Sequence, residues 1–149
     1  MSGRPGKGVG SMMNIISTAN QKIKQIVKLK QRKAREQEGL TVVDGLREVM
    51  RAHEAGVVKE VYICREMLTQ FCGDVNAGET AAQGADLYFV SDAVFQKISF
   101  GDRNEGIVAV VQTKELPLDA SRLPDNPLVV VLEGVEKPGN LGAVLRACD

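Results

Sequence analysis

The chain has 149 residues, of which 44% are hydrophobic and 4% are aromatic, and its 19 basic and 19 acidic side chains cancel to a formal net charge of zero. This composition is typical of a globular protein and excludes a chain that is disordered throughout. No apolar run approaches the length of a transmembrane helix, so no segment is predicted to span a membrane. A neutral total also argues against a partner that is a polyanion.

The zero total hides an uneven distribution of charge. Residues 1–35 contain nine basic side chains and no acidic one, which leaves ten basic and nineteen acidic side chains for the rest of the chain. This asymmetry predicts a polyanion-binding arm or helix joined to an acidic body, although a merely solvated helix face would have the same composition. The candidate phosphate-binding residues are Lys22, Lys24, Lys28, Lys30, Arg32, Lys33 and Arg35.

The cysteines indicate the compartment. Cys64, Cys72 and Cys148 form no C-x-x-C pair, and the single histidine, His53, is distant from all three in sequence. We therefore expect no metal site and no disulfide framework. Scattered thiols without a secretory signal favour the cytoplasm.

The first predicted elements follow a disordered tail over residues 1–13. Asn20 is a plausible N-cap, and the spacing of Ile23 and Ile26 predicts one amphipathic, basic helix of about four turns that ends near Gly39. A strand over 40–43 and a helix from Asp44-Gly45 to Gly56 come next.

The rest of the first domain alternates in the same way. Strands are predicted at 61–63, 87–90 and 107–111, helices at 67–71 and 92–98, and a helix or loop up to Gly84. Strands that alternate with helices predict an α/β domain over 14–114, with a parallel or mostly parallel sheet covered on both faces.

A second domain is predicted to begin after a proline-containing linker at 115–127. The apolar run 128–132 is typical of a buried parallel strand. Because 22 residues cannot form a domain, we interpret 128–149 as the start of a truncated second domain, so that the chain is a fragment.

The sharpest local motif joins that strand to a helix, from Glu133 through Pro138, Asn140 and Gly142 to Arg146. Glycines at the carboxyl end of a strand let backbone amides approach an anion, but they also suit a tight turn in which Asn140 is the N-cap. Arg146 lies in an otherwise apolar helix and therefore needs an anionic partner, either a phosphate or a nearby carboxylate such as Glu133.

These residues resemble motif 1 of the SpoU (TrmH-like) class of SPOUT RNA methyltransferases. Residues 17–45 resemble the amino-terminal substrate-binding segment of the same class, and 106–111 resemble the closing strand of its L30e-like domain. Three separated motifs thus occur in family order. The departures are Lys137, where the family has an acidic residue, and Asp44, where it has Glu.

The resemblance implies a three-layer α/β/α L30e-like RNA-binding domain, followed by the first strand and helix of a knotted SPOUT domain. It further implies transfer of a methyl group from S-adenosylmethionine to a ribose 2′-hydroxyl of rRNA or tRNA, with Arg146 and Asn140 as catalytic residues. The seven basic residues would then contact RNA. The cofactor-binding motifs of the family lie beyond residue 149, and the full-length protein is expected to be a homodimer.

Two other interpretations remain open. A non-enzymatic L30e-like module would also bind RNA, but it would need neither the linker nor Arg146. A Rossmann-type nucleotide-binding enzyme would need a glycine spacing that residues 134–142 lack. On the leading interpretation, this chain binds RNA and does not catalyse methyl transfer alone.

Overall fold

A computed structural model of the protein describes residues 12–100, 104–114, 128–135 and 138–148. The chain divides between Lys114 and Glu115 into two compact units, which are considered separately below. Within the described ranges, no helix is both long and apolar enough to cross a membrane.

The first unit alternates strands with helices, as the sequence pattern predicts. Its strands are β1 (Met12–Ile15), β2 (Leu40–Asp44), β3 (Val58–Ile63), β4 (Asp86–Val90) and β5 (Ile107–Gln112). Its helices are α1 (Gln21–Lys28), α2 (Arg32–Glu38), α3 (Leu46–Glu54), α4 (Arg65–Cys72), α5 (Asn76–Ala81) and α6 (Asp92–Ile98). The sequence predicts either a helix or a loop before Gly84, and the structure has a helix there, α5.

The five strands form one sheet in the order β1-β4-β3-β5-β2. β4 is parallel to β1 and β3, whereas β5 is antiparallel to both β3 and β2. Four strands therefore run in one direction and β5 runs against them, which confirms the prediction in its mostly parallel form. The backbone N–H of Phe100 donates to Asp44 Oδ2 at the carboxyl end of β2, so the chain enters β5 from that edge and runs back against its neighbours.

Helices cover both faces of the sheet, so the predicted three layers are confirmed. On one face, α1 and α6 pack through Ile23, Ile26 and Phe95 against Tyr62 and Tyr88. The opposite core contains side chains from α3, α4 and α5, among them Val49, Leu68 and Ala81, packed on Val61, Ile63, Phe89, Ile107 and Ala109.

The single basic helix predicted from Asn20 to Gly39 is two helices. Asn20 does cap α1, since its Oδ1 accepts from Lys22 N at 2.9 Å. Leu29 is buried at 2% exposure and ends α1, and Gln31 is extended before α2 begins. The sequence after Leu29 has no apolar stripe, and α2 has no buried residue. No packing against the core therefore favours a continuous helix through this segment.

The predicted tail over residues 1–13 also needs correction at its end. β1 begins at Met12 and pairs in parallel with β4. Met12 and Met13, which the sequence pattern places in the tail, are therefore part of an edge strand that pairs with β4. Residues 1–11 lie outside the described ranges.

In the second unit, 128–132 forms no strand among the described residues, which makes the prediction of a buried strand wrong for this chain. Leu128 is 94% exposed and Val131 84% exposed. A buried parallel strand needs neighbours on both sides, and the described part of this unit contains no other strand.

The helix that follows, α7, spans Pro138–Cys148, so Asn140 lies inside its first turn and is not the N-cap. Proline suits a first helical position because its missing N–H is not needed there. Residues 115–127, 136, 137 and 149 lie outside the described ranges.

Gly106 offers a test of how tightly the core layers pack. Its φ is +82°, and a Cβ there would overlap the backbone of Leu68 and the carbonyl oxygen of Cys64. Gly84 has nearly the same φ, +80°, but nothing lies within 4 Å of its Cβ position. We expect Gly84→Ala to lower the free energy of unfolding by about 1–2 kcal/mol, the cost of a left-handed residue. Gly106→Ala should cost about 1–3 kcal/mol more because of the overlap. Urea denaturation measures both, and equal losses would contradict the packing argument.

Candidate nucleic-acid interface

The seven basic residues singled out in the sequence divide into two groups in the fold. Lys24 and Lys28 are exposed on α1, four residues apart and therefore on one side of that helix, and Lys33 is exposed on α2. In the part of the chain that the structure describes, these three side chains have no hydrogen-bond or ion-pair partner. We call these three residues the basic face. They are the cations most available to a phosphate backbone.

Lys22 is engaged inside the protein. Its Nζ lies 2.5 Å from Glu60 Oε1 and 4.9 Å from the ring centroid of Tyr88. Partial burial alone would lower the pKa of Lys22, but the hydrogen bonds and charge interactions with Glu60 and Tyr88 raise it to about 12. Lys22 therefore stays charged at neutral pH and fastens the start of α1 to β3.

Glu60 accepts a second hydrogen bond, from the hydroxyl of Tyr62 at 2.6 Å. Burial, reinforced by the neighbouring Glu60, raises the pKa of Tyr62, so the phenol remains a neutral donor. The rings of Tyr62 and Tyr88 stack with centroids 4.9 Å apart. No local sequence pattern indicates this network, because Lys22 and Glu60 are 38 residues apart.

The other three basic residues also have partners within the first unit. Arg35 Nη1 donates to the carbonyl oxygens of Leu29 at 3.0 Å and Lys30 at 2.9 Å, and so stabilises the turn between α1 and α2. Lys30 Nζ donates to the carbonyl oxygen of Ser99 at 2.8 Å. Arg32 pairs with Glu36 at 2.6 Å on the exposed side of α2, a contact that contributes little to stability.

Tertiary packing adds one basic residue that the sequence argument did not include. Lys97 is exposed on α6, which packs against α1, and its Nζ lies 3.5 Å from the carbonyl oxygen of Thr18. It therefore adds positive charge beside the start of α1.

The two residues predicted to be catalytic lie on α7 in the second unit. Asn140 and Arg146 are both exposed. Nη1 of Arg146 lies 3.4 Å from the position that a Cβ would occupy on Gly142, so the side chain extends back toward the amino-terminal end of α7. The ion pairs among the described residues do not include one between Arg146 and Glu133. The guanidinium is thus directed toward the end of the helix where its dipole favours anions.

Arg35 and Lys33 provide a test of this division between structural and available cations. Arg35→Met removes the donor for two carbonyl groups at the end of α1, and we expect a loss of about 1–2 kcal/mol in the free energy of unfolding. Lys33→Met makes the same change in charge at an exposed position of the same helix and should stay within about 0.5 kcal/mol of the parent. Thermal and urea unfolding would measure both, and a larger loss for Lys33→Met would contradict the assignment.

Comparison with known proteins bears on what this surface binds. Residues 20–109 match the family described as the MRM3-like substrate binding domain. The 23S rRNA (guanosine(2553)-2′-O)-methyltransferase RlmP of Bacillus subtilis is 29% identical over 139 residues, which are 93% of this chain and 51% of that protein.

Solved structures agree in fold. A crystal structure of an RNA 2′-O ribose methyltransferase superposes with a TM-score of 0.69 and 36% identity, covering 92% of this chain and 52% of the other. The SpoU methyltransferase AviRb of Streptomyces viridochromogenes, solved with AdoMet, has a TM-score of 0.68 at 20% identity, over 87% of this chain and 49% of that one, and so shows similarity of fold alone. The chain spans about half the length of the curated relatives that it matches.

Proposed function

The chain belongs to the SpoU (TrmH-type) RNA methyltransferases through its MRM3-like substrate-binding domain, and we propose that it supplies the RNA-binding part of a ribose 2′-O-methyltransferase that acts on rRNA or tRNA. The observation that carries this proposal is the basic face, which lies within the matched domain and presents Lys24, Lys28 and Lys33 to solvent.

The basic face supports binding to the phosphate backbone. Lysine ammonium groups neutralise phosphates as point charges, and contacts of this kind position an RNA without reading its sequence. Lys22, Lys30 and Arg35 take an indirect part, because their internal hydrogen bonds hold α1 and α2 in place. Arg32 is paired with Glu36, so of the seven predicted RNA contacts we propose Lys24, Lys28 and Lys33 as the direct ones.

Arg146 has a distinct role in the proposal. A guanidinium scarcely deprotonates, so Arg146 is a poor general base. Its direction toward the start of α7 suits a group that holds the phosphate of the target nucleotide and stabilises the negative charge that develops on the 2′-oxygen. Asn140, exposed in the first turn of the same helix, would help to shape this site.

S-adenosylmethionine is the methyl donor implied by the family, and it would supply an electrophilic methyl group. In the second unit, residues 128–135 and 139–148 are all exposed or half-exposed. These residues do not enclose a pocket for a nucleoside and a sulfonium centre, so they do not fit the cofactor as they stand. We accordingly derive no step through it and propose that this chain alone does not catalyse methyl transfer.

The remaining parts of the proposal concern the whole protein. The scattered cysteines favour the cytoplasm, and all three described thiols are free. The family resemblance supports a homodimer of the full-length enzyme.

The salt dependence of RNA binding tests the basic face. A triple variant with Lys24, Lys28 and Lys33 changed to Gln should flatten the slope of log affinity against log salt concentration by about 2. Each lysine that neutralises a phosphate releases counterions from the RNA, so the variant releases fewer of them on binding. Fluorescence anisotropy with a labelled RNA measures the slope. The control triple changes Arg47, Arg51 and Arg65 to Gln, three exposed basic residues of α3 and α4, which pack on the opposite face of the sheet from α1. Equal effects of the two triples would show that binding is not localised to the basic face.

A labelled methyl donor tests the catalytic half of the proposal. The chain incubated with RNA and tritiated S-adenosylmethionine should transfer no label above a protein-free blank, and measurable transfer would contradict the proposal. In the full-length enzyme, Arg146→Lys should lower the rate by about 10²–10³-fold, because lysine cannot reproduce the two-pronged contact with phosphate and oxyanion. Arg51→Lys, an exposed change on α3, is the control.

A further inference from the structure

Phe100 is an exposed aromatic residue held in a fixed position beside the basic helices. It follows α6 and remains 37% exposed. Its backbone N–H donates to Asp44 Oδ2 at 2.5 Å, which ties this point of the chain to the end of β2. A ring anchored through its own backbone loses little conformational freedom when a ligand stacks on it.

Lys30 connects this ring to the end of α1. Its Nζ lies 5.0 Å from the ring centroid of Phe100 and donates at 2.8 Å to the carbonyl oxygen of Ser99, the preceding residue. The ammonium thus remains on the ring, in a cation–π contact, just past the end of the helix that carries Lys24 and Lys28. No aromatic residue interleaves with the basic ones in the sequence, and the fold brings one there from far along the chain.

The other aromatic side chains do not share this setting. Tyr62, Tyr88, Phe89 and Phe95 are buried in the two cores. Phe71 is 54% exposed on α4, but it makes no cation–π contact among the described residues. Phe100 is therefore the described aromatic residue that combines exposure with a neighbouring lysine of the basic helices, and Phe71 is a natural control.

We infer that Phe100 is a stacking platform for one unpaired nucleobase of the bound RNA. This inference rests on the proposed function and deepens it: the preferred RNA has a single-stranded nucleotide next to the backbone that the basic face holds. Surfaces that bind single strands combine lysines along the backbone with an aromatic ring under a base, and a base within a duplex cannot offer its face in this way.

Fluorescence provides a direct test, because the chain contains no Trp. Phe100→Trp introduces a single indole at the platform, and Phe71→Trp introduces one at the control position. Stacking should quench the fluorescence of the Phe100→Trp variant when an unstructured single-stranded RNA is added and leave the fluorescence of the Phe71→Trp variant unchanged. Binding detected by anisotropy without quenching of the platform indole would overturn the inference but leave the proposed function standing.

Affinity measurements complete the test. Phe100→Leu should weaken binding of the single strand by about tenfold, the usual effect of losing one stacked base, and should leave affinity for the same strand in a duplex unchanged. Phe71→Leu should change neither. Equal losses for single strand and duplex, or equal losses for the two variants, would overturn the platform. If the parent chain binds neither RNA, the proposed function fails and the platform fails with it. Circular dichroism checks that each variant is folded.

Discussion

The burial of both faces of β5 is the constraint on which the first unit depends. Residues 107–111 are all buried, with alternate side chains in the two cores, and the strand runs antiparallel between β3 and β2. A central strand of this kind requires helices on both faces of the sheet. One layer is α1 with α6, so Ile23 and Ile26 must face inward and Lys24 and Lys28 must face outward. The orientation of the basic face is thus a consequence of the core.

The same packing explains why a count of basic residues overstates the surface available to RNA. Positive charges near the core need partners, because an unpaired charge there is costly. Lys22 has Glu60, Lys30 has the Ser99 carbonyl, and Arg35 has the carbonyls of the turn that follows α1. These interactions tie the start of α1 to β3 and the residues after α1 to the end of α6 and to α2. The cations left over are the exposed Lys24, Lys28 and Lys33.

The sequence predicts local features well and long-range ones poorly. Periodicity and capping residues locate most strands and helices, and Asn20 caps α1 as expected. The sequence does not predict that the helix breaks at Leu29, because the break depends on tertiary packing. Leu29 is buried in the core, and no residue of α2 is. The direction of β5 and the position of Phe100 involve long-range partners: β5 pairs with β2 and β3, and Phe100 bonds to Asp44, 56 residues away. The apolar pattern of 128–132 predicts burial, but no described strand of its unit pairs with it.

The chemistry of the two units assigns them different parts of recognition. Lysine contacts with phosphates carry no sequence information, and stacking on one ring tolerates every base. On the two proposals above, the first unit would hold an RNA and favour an unpaired nucleotide without choosing its identity. On the proposed function, selection of the reacting ribose would depend on the site around Arg146, whose guanidinium can engage one phosphate with defined geometry. Consequently, changes to the basic face should alter how tightly many RNAs bind, whereas changes at Arg146 should alter what happens to the one nucleotide placed there.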